Sequence, residues 1–421
     1  MTASPPATPL LAPPPAFFTP EFFHDPHPRF DALRARGPAT AVTGFSGHRI
    51  WVVPGYEDVR TALTHPGVRK DEWRRPELRE RHQIDPERRR DVNVRIRNNM
   101  INSDGPEHQR LRQATQQALS PARTELLRPR LAELTDRRLD ALCAAGPGPL
   151  DLRADFTYPC AIDAIAHVLG LGQEERTDFR TWFDILMIQG SSQSVRDVSA
   201  TIADYAEAVV DRRIAQQDAR SPAPSDSEGL IFTLVAGRAG PCPLNRHELA
   251  STVFLLLIAG MESANALANG MLALLSHPEQ LAALRADRSL LPGAIEETLR
   301  YDGSFRAVGP RYTDRPVRLG ETTVPEGEFL LLALQAAHRD PRRYPDPHRF
   351  DITRTDHQHL GMGHGAHRCV GSKVGHAQLE IGYGKLLDRF PDMRLAVPAE
   401  DIRHRPSMTM NWLESLPVTL W

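Results

Sequence analysis

Apolar positions along the 421-residue chain recur mainly at helical spacing. PEHQRLRQATQQAL, from about residue 106, opens with a proline suited to a first helical turn, and GPGP at 146–149 breaks the long segment that follows. Helical patterning resumes over 160–169, 174–189 and 197–217, and again from 247 to 300. Within that last stretch, VFLLLIAGMESANALANGMLALLS (253–276) has the length and apolarity of a membrane span. Glu262, Asn265 and Asn269 in its middle predict a long buried core helix instead. Alternation of period two is confined to fewer places. ATAVTGFSGHRIWVV (39–53) reads as a hairpin around a Gly/Ser turn, and GYEDVRTALTH (55–65) as a short helix stopped by Pro66. PVRLGETTVPEGEFLLLAL, between 315 and 335, alternates and turns like a second hairpin, and the last thirty residues, ending LPVTLW, look strand-like. The sum is a mainly α chain with a small β region near its N-terminus. It has no internal repeat and none of the regular β–α alternation of a dinucleotide-binding domain.

Composition narrows the class. With 41% hydrophobic residues the chain can bury a substantial core, as two or three average domains or one large helical one. Lys and Arg total 51 against 53 Asp and Glu, a net charge of −2, so no global field recruits nucleic acid or a membrane surface. Residues 69–97 carry 11 basic and 7 acidic side chains and read as a solvated loop with short helices. Arg88, Arg89 and Arg90 there lack the interleaved aromatics of single-strand binding. SPAPSDSEG (221–229) is a polar loop. Residues 1–16 are a proline-dense arm, expected to be mobile, without the apolar run of a signal peptide or anchor. The expectation is a soluble, cytoplasmic protein with no membrane and no nucleic-acid partner.

The densest candidate chemistry is LGMGHGAHRCVG (360–371). A phosphate cradle needs a strand before the glycines, but TRTDHQH is no strand and GK[ST] is missing. Structural zinc wants close ligand pairs, and Cys143, Cys160, Cys242 and Cys369 are all far apart. A third reading suits the residues better. Glycines at 361, 363, 365 and 371 let backbone approach a flat cofactor, and Cys369 precedes an apolar-periodic helix, where the dipole and free amides stabilise a thiolate. Such a thiolate suits an axial ligand to haem iron.

MGHGAHRCVG (362–371) resembles the haem-binding signature of the cytochrome P450 superfamily, F-G-x-G-x-H-x-C-x-G, with Met362 where the family carries an aromatic. The resemblance implies that Cys369 is the proximal iron ligand, that His367 faces a haem propionate, and that Met362, Gly363 and Gly371 line the cofactor. Other segments resemble family motifs in the expected order. AIEETLRY (294–301) resembles the ExxR pair as Glu297 and Arg300, and PHRF (347–350) the segment whose arginine, here Arg349, completes that network. DGPEHQRLR (104–112) and GPRYTDRPVRLG make His108, Arg112 and Arg311 the expected propionate partners. The central helix resembles the A-G-x-[DE]-T segment across the distal face of the haem, reading Ala259, Gly260, Met261, Glu262, Ser263, with Ala264 where a second threonine is frequent. Glu262 and Ser263 are thereby the expected proton relay, and Gly260 is expected to widen the groove where oxygen sits.

The resemblance implies one triangular, prism-like, mainly α domain over residues 17–421, with haem b between the long central helix and the cysteine helix. It implies a soluble bacterial-type monooxygenase, monomeric, that oxidises a small organic molecule with two electrons from a ferredoxin and its reductase, in natural-product biosynthesis. Ser263 and Ala264 also suit oxidative C–C, C–N or C–O coupling without oxygen insertion; a non-catalytic haem sensor is a third reading. Leu255, Ile258, Ala259, Ala307, Val308, Met408 and Thr409 are expected to approach the substrate, under a roof formed by residues 69–100 and 179–200.

Overall fold

The computed structural model describes residues 17–44, 47–82, 91–144, 146, 148–176, 179–189, 191–219, 229–240 and 242–421. The proline-rich arm, the three arginines at 88–90 and most of the loop at 221–229 lie outside them.

The expected N-terminal hairpin forms from β1 (Thr40–Thr43) and β2 (Arg49–Val53), antiparallel with Thr40 opposite Val52. It is two strands of a five-stranded sheet. β2 pairs in parallel with β8 (Phe329–Leu332), β8 pairs with β5 (Val308–Thr313), and β5 pairs with β3 (Val68–Arg69). The β region is therefore not local to the N-terminus, as the sequence suggested, but closes the chain's first and last thirds together. β5 escapes sequence reading because Gly309 and Pro310 interrupt its alternation, and its register shifts between Val308 and Arg311.

The 315–335 segment also divides differently from expectation. β6 (Val317–Leu319) and β7 (Thr322–Val324) make a separate tight hairpin, with Gly320 at φ +51 in the turn. β8 then leaves for the main sheet, all four of its residues buried, as a strand covered on both faces should be. The C-terminal tail does contain strand, but little: β9 (Arg394–Leu395) and β10 (Pro417–Thr419) join β4 (Leu150–Asp151) in a three-stranded sheet.

Helices supply the bulk. Those that build the site are α1 (Tyr56–Thr64), α2 (Gly105–Ala118), α3 (Pro121–Ala144), α4 (Tyr158–Leu169), α5 (Ser192–Asp218), α6 (Arg246–Gly260), α7 (Glu262–Leu275), α8 (Leu291–Asp302), α9 (Leu334–His338) and α10 (Ser372–Arg389). Over 69–97 the expected short helices form, a short α-helix at Pro76–Arg81 and single 3-10 turns at Glu72–Arg74 and Val94–Ile96.

The single central helix predicted over 253–276 is two helices, broken at Met261. The Met261 amide bonds back three residues to Ile258, the Ala264 amide bonds to Met261, and Ser263 Oγ donates to the Gly260 carbonyl (3.1 Å). A hydroxyl capturing a carbonyl at the break is an ordinary cause of such bends. The two halves serve different cores. Leu255, Leu256, Leu257 and Met261 pack with α4 and α5, whereas Leu267, Met271 and Leu274 pack with α8 and α10. The most apolar window of Arg246–Leu275 is 67% buried, as befits a core helix.

Candidate active site

Cys369 ends a loop whose shape is fixed by its own backbone. The Gly363 amide bonds to the Leu360 carbonyl and the Cys369 amide to the Met362 carbonyl, both at 2.8 Å. Gly363 and Gly365 sit at φ +73 and +71, where a side chain would be strained. The Cys369 side chain is exposed. Burial pushes its pKa up, while the Gly371 amide bond and the charges of Arg112 and Arg368 act the other way. The glycine at 371 does not serve close approach on its Cβ side, where nothing lies within 4 Å; it caps α10 and presents its amide to the sulfur. Met362 is half-buried, its methyl directed at Gly375 on the cysteine helix. Val370 and Val374 join the apolar cluster of Leu257, Met261 and Ala264, so the cysteine segment and the broken central helix face one another across a shared core.

Beside the loop, donors from three elements converge. His108 and Arg112 come from α2, Arg311 from β5 and His367 from the loop itself. The His108 and His367 rings are 4.2 Å apart. His108 and Arg311 are only 4% and 5% exposed, yet His108 Nε2 and Arg311 Nε have no hydrogen-bond partner. Burial drives the pKa of His108 down to about 4 and that of Arg311 to about 10. One carboxylate serves the group: Asp104 meets His367 Nε2 at 3.5 Å and accepts from the Lys70 and Asp71 amides. Lys70, whose pKa burial lowers to about 8, feels the Arg311 charge. A buried guanidinium and imidazole with idle nitrogens are costly unless a ligand supplies partners, and the set fits the two carboxylates of a haem. Sequence reasoning missed Asp104 and Lys70, because one sits before a helix start and the other in a charged run that resembles surface.

On the central helix, Ala259 is exposed although its neighbours Leu256 and Leu257 are buried. Glu262 follows the break. Trp412 Nε1 donates to its Oε2 (3.2 Å), and burial raises its pKa to about 8. Ser263 stands next to it, bordering a cavity of about 20 Å³ with Thr135, Thr157 and Gln378, enough for one water molecule. Gly260 departs from expectation. A Cβ there would meet Ile165 of α4 at 2.5 Å, so its missing side chain admits Ile165 rather than opening a groove for oxygen.

A family model for Cytochrome P450 matches residues 161–411. Cytochrome P450 107B1 of Saccharopolyspora erythraea is 38% identical over 402 residues, 95% of this chain and 96% of its own. The chain belongs to the cytochrome P450 family. Cytochrome P450 monooxygenase PikC of Streptomyces venezuelae is 37% identical, covering 99% of this chain and 95% of its own. The solved structure of the tirandamycin C-bound P450 monooxygenase TamI is 34% identical, with TM-score 0.85, covering 97% of this chain and 100% of that one. The mainly α architecture with its small β region is thus the P450 fold, the chain is a P450 oxidoreductase, and membership implies a haem-thiolate cofactor.

Within this P450 the Glu297–Arg300 pair is 1% exposed and two-pronged, Nε to Oε2 at 2.7 Å and the terminal nitrogen to Oε1 at 2.8 Å. Arg300 also donates to the carbonyls of His338, Pro347 and Arg349, and Glu297 accepts the Asp351 amide. The third arginine is not Arg349. That side chain is 64% exposed and contributes only its carbonyl, while Arg354, 12% exposed, brings its Nε to Glu297 at 3.3 Å.

The substrate-facing expectations divide too. Ile258 packs among Val92, Ile96, Met187 and Val198, which joins the two roof segments over the central helix; Leu186 and Phe254, not anticipated, belong to the same cluster. Val308, Met408 and Thr409 are half-buried, and the Thr409 carbonyl accepts from the Arg306 and Ala307 amides. Ala307 does not face the cavity: it is fully buried against Phe22, Phe30 and Phe329 on the other side of the sheet. Leu255 is 8% exposed and packs into the helical core. Alternation past Gly309 could not assign Ala307 to a face, because the register shift lies beside it.

Proposed function

We propose that the protein is a haem b monooxygenase that oxidises a small, largely apolar organic molecule in natural-product biosynthesis, working as a cytoplasmic monomer supplied by a ferredoxin and its reductase. One observation carries the reading: an exposed cysteine thiol beside buried, unpartnered His108 Nε2 and Arg311 Nε, opposite a central helix that breaks next to a proton-bearing Glu262. His108, Arg112, Arg311 and His367 hold the propionates, and Cys369 holds the iron. When bound, the haem supplies the metal centre at which dioxygen is reduced and substrate oxidised.

The chain's own residues do the rest. The Gly371 amide donates to the Cys369 sulfur and spreads its charge. Glu262 carries a proton up to about pH 8, so it is a donor at neutral pH, with Ser263 as the neighbouring alcohol. Ala259 leaves open space beside the break, and the cluster of Ile96, Leu186, Phe254 and Ile258 excludes water from an apolar ligand. Relatives named as monooxygenases support the reaction class.

Reduced protein with carbon monoxide is expected to show the strongly red-shifted Soret band of thiolate ligation, and Cys369→His to lose it. Persistence of that band in the variant overturns the ligand assignment. Mass spectrometry of products formed with a ligand that shifts the haem to high spin then separates chemistries. Gain of one oxygen supports monooxygenation, and loss of two hydrogens replaces it with coupling. NAD(P)H consumption that never exceeds background would leave a binder.

A further inference from the structure

The cysteine loop is gripped from outside the cavity by one carboxylate that none of the preceding roles uses. Glu296 of α8 lies beside the buried Glu297 in sequence but turns to the opposite face of the loop. Its Oε2 is 2.8 Å from His359 Nε2 and its Oε1 is 2.8 Å from His376 Nε2. The remaining ring nitrogens fix the protons. His359 Nδ1 is 3.1 Å from the Gly361 amide, which can only donate, so the His359 proton sits on Nε2 and is given to Glu296. His376 Nδ1 is 2.7 Å from the Ser372 carbonyl, which can only accept. With acceptors on both sides, both nitrogens of His376 carry protons and the ring is a cation.

We propose that Glu296 is the positioning residue of the cysteine loop, its carboxylate tying His359 before Cys369 and cationic His376 after it to α8 and so setting the thiolate's geometry. This rests on Cys369 being the haem ligand. The two ends differ in their dependence on charge. The start of the loop has a second, neutral anchor, since buried His338 Nε2 accepts the Leu360 amide at 2.9 Å. The cysteine helix is held to Glu296 through His376.

The consequence is a grip that weakens on the alkaline side. Glu296 pushes His376's pKa above the ordinary 6.5, and the two histidines hold the Glu296 carboxyl well below the usual carboxylate range. A raised histidine contributes fully below its unfolded pKa and is lost as pH rises through its folded one; Glu296 stays ionised throughout that range. Charged neighbours come from every element around the ring. Lys373 on α10, Arg368 in the loop, His357 before it, and Glu125 and Arg128 on α3 border the same concavity of about 550 Å³. Arg128 is already paired with Glu380, and Lys373 opposes the His376 charge.

The test uses the haem-loaded full chain. The fraction of the reduced carbon monoxide complex showing the red-shifted band is followed from neutral to alkaline pH, together with the haem midpoint potential. Wild type is expected to lose the band as pH rises, with a midpoint above histidine's ordinary 6.5. E296Q should move that midpoint to lower pH, because the carboxylate that raises the His376 pKa is gone. H376R keeps a cation at every pH, so it should retain the band and flatten the profile. A wild-type profile without pH dependence, or E296Q and H376R profiles superimposed on wild type, overturns the proposal. Should E296Q not fold, H376R against H376Q makes the same comparison at a half-buried position. A wild-type protein that never shows the band would instead overturn the thiolate reading on which this one stands.

Discussion

The protonation of Glu262 bears on both chemistry and stability. Its folded pKa of about 8 lies above the ordinary 4.5, so the folded state binds its proton more tightly than the unfolded chain does. That contribution is complete below about pH 4.5 and disappears as pH rises through 8. Glu262→Gln keeps the shape and cannot ionise. The melting temperature of wild type should therefore fall relative to E262Q as pH rises from about 4.5 to about 8. The residue scale also shows what local sequence can carry. Cys369, Gly363 and His367 lie within a few positions of one another, so backbone geometry alone brings them together and their pattern could be read directly. Arg354 could not. Whether Arg349 or Arg354 reaches Glu297 depends on how the chain folds back after Pro347, and a side chain as long as arginine's reaches far beyond its neighbours in sequence. Arg354→Gln should cost about 1–3 kcal/mol by leaving Glu297 with one fewer buried cation, and Arg349→Gln less than about 0.5 kcal/mol, as chemical denaturation would show.

Among the elements, the break between α6 and α7 is set by packing as much as by the Ser263 hydroxyl. Helical periodicity marked the central segment correctly, since its apolar residues are nearly all buried, but it gave no sign of a break: every residue from 253 to 276 is compatible with helix. The information lies in Ile165, about a hundred residues away in sequence, which occupies the space beside Gly260. Gly260→Ala puts a methyl group 2.5 Å from two Ile165 carbons. Overpacking of that kind should cost about 1–3 kcal/mol, and G260A combined with I165A should cost less than the sum of the two single changes. A double-mutant cycle by denaturant unfolding measures the coupling; additive losses would show that α4 does not press on the break. Strand β5 teaches the same point in reverse, because a Gly-Pro pair erased the period-two signal while β8 and β3 on either side still imposed a strand.

At the scale of the whole molecule, the chain's ends are sewn to its sheet by one buried arginine. No pattern of apolar residues specifies partners, so neither the parallel pairing of β2 with β8 nor this junction was legible in advance. Arg306 is 0% exposed. It donates to the Phe22 and Phe23 carbonyls at 3.0 and 3.2 Å, while its own amide bonds to Thr409 at 2.8 Å. Burial lowers its pKa to about 10, so it stays charged and needs those acceptors. Phe17, Phe22 and Phe23 cover the same cluster as Phe30 and Phe329. Removing residues 1–24 strips both contributions at once. Three buried phenylalanines are each worth about 1.5–3 kcal/mol, and an abandoned buried cation about 3–5 kcal/mol. The total is comparable to the whole stability of an ordinary domain. Truncation before Asp25 should therefore abolish a cooperative thermal transition and the carbon monoxide band together, although none of the expected haem-binding residues lies in the deleted stretch. Arg306→Met in the full-length chain separates the two causes. It keeps the aromatic cluster and removes the charge, so a variant that melts near wild type would assign the loss to the phenylalanines, and one that behaves like the truncation would assign it to the arginine.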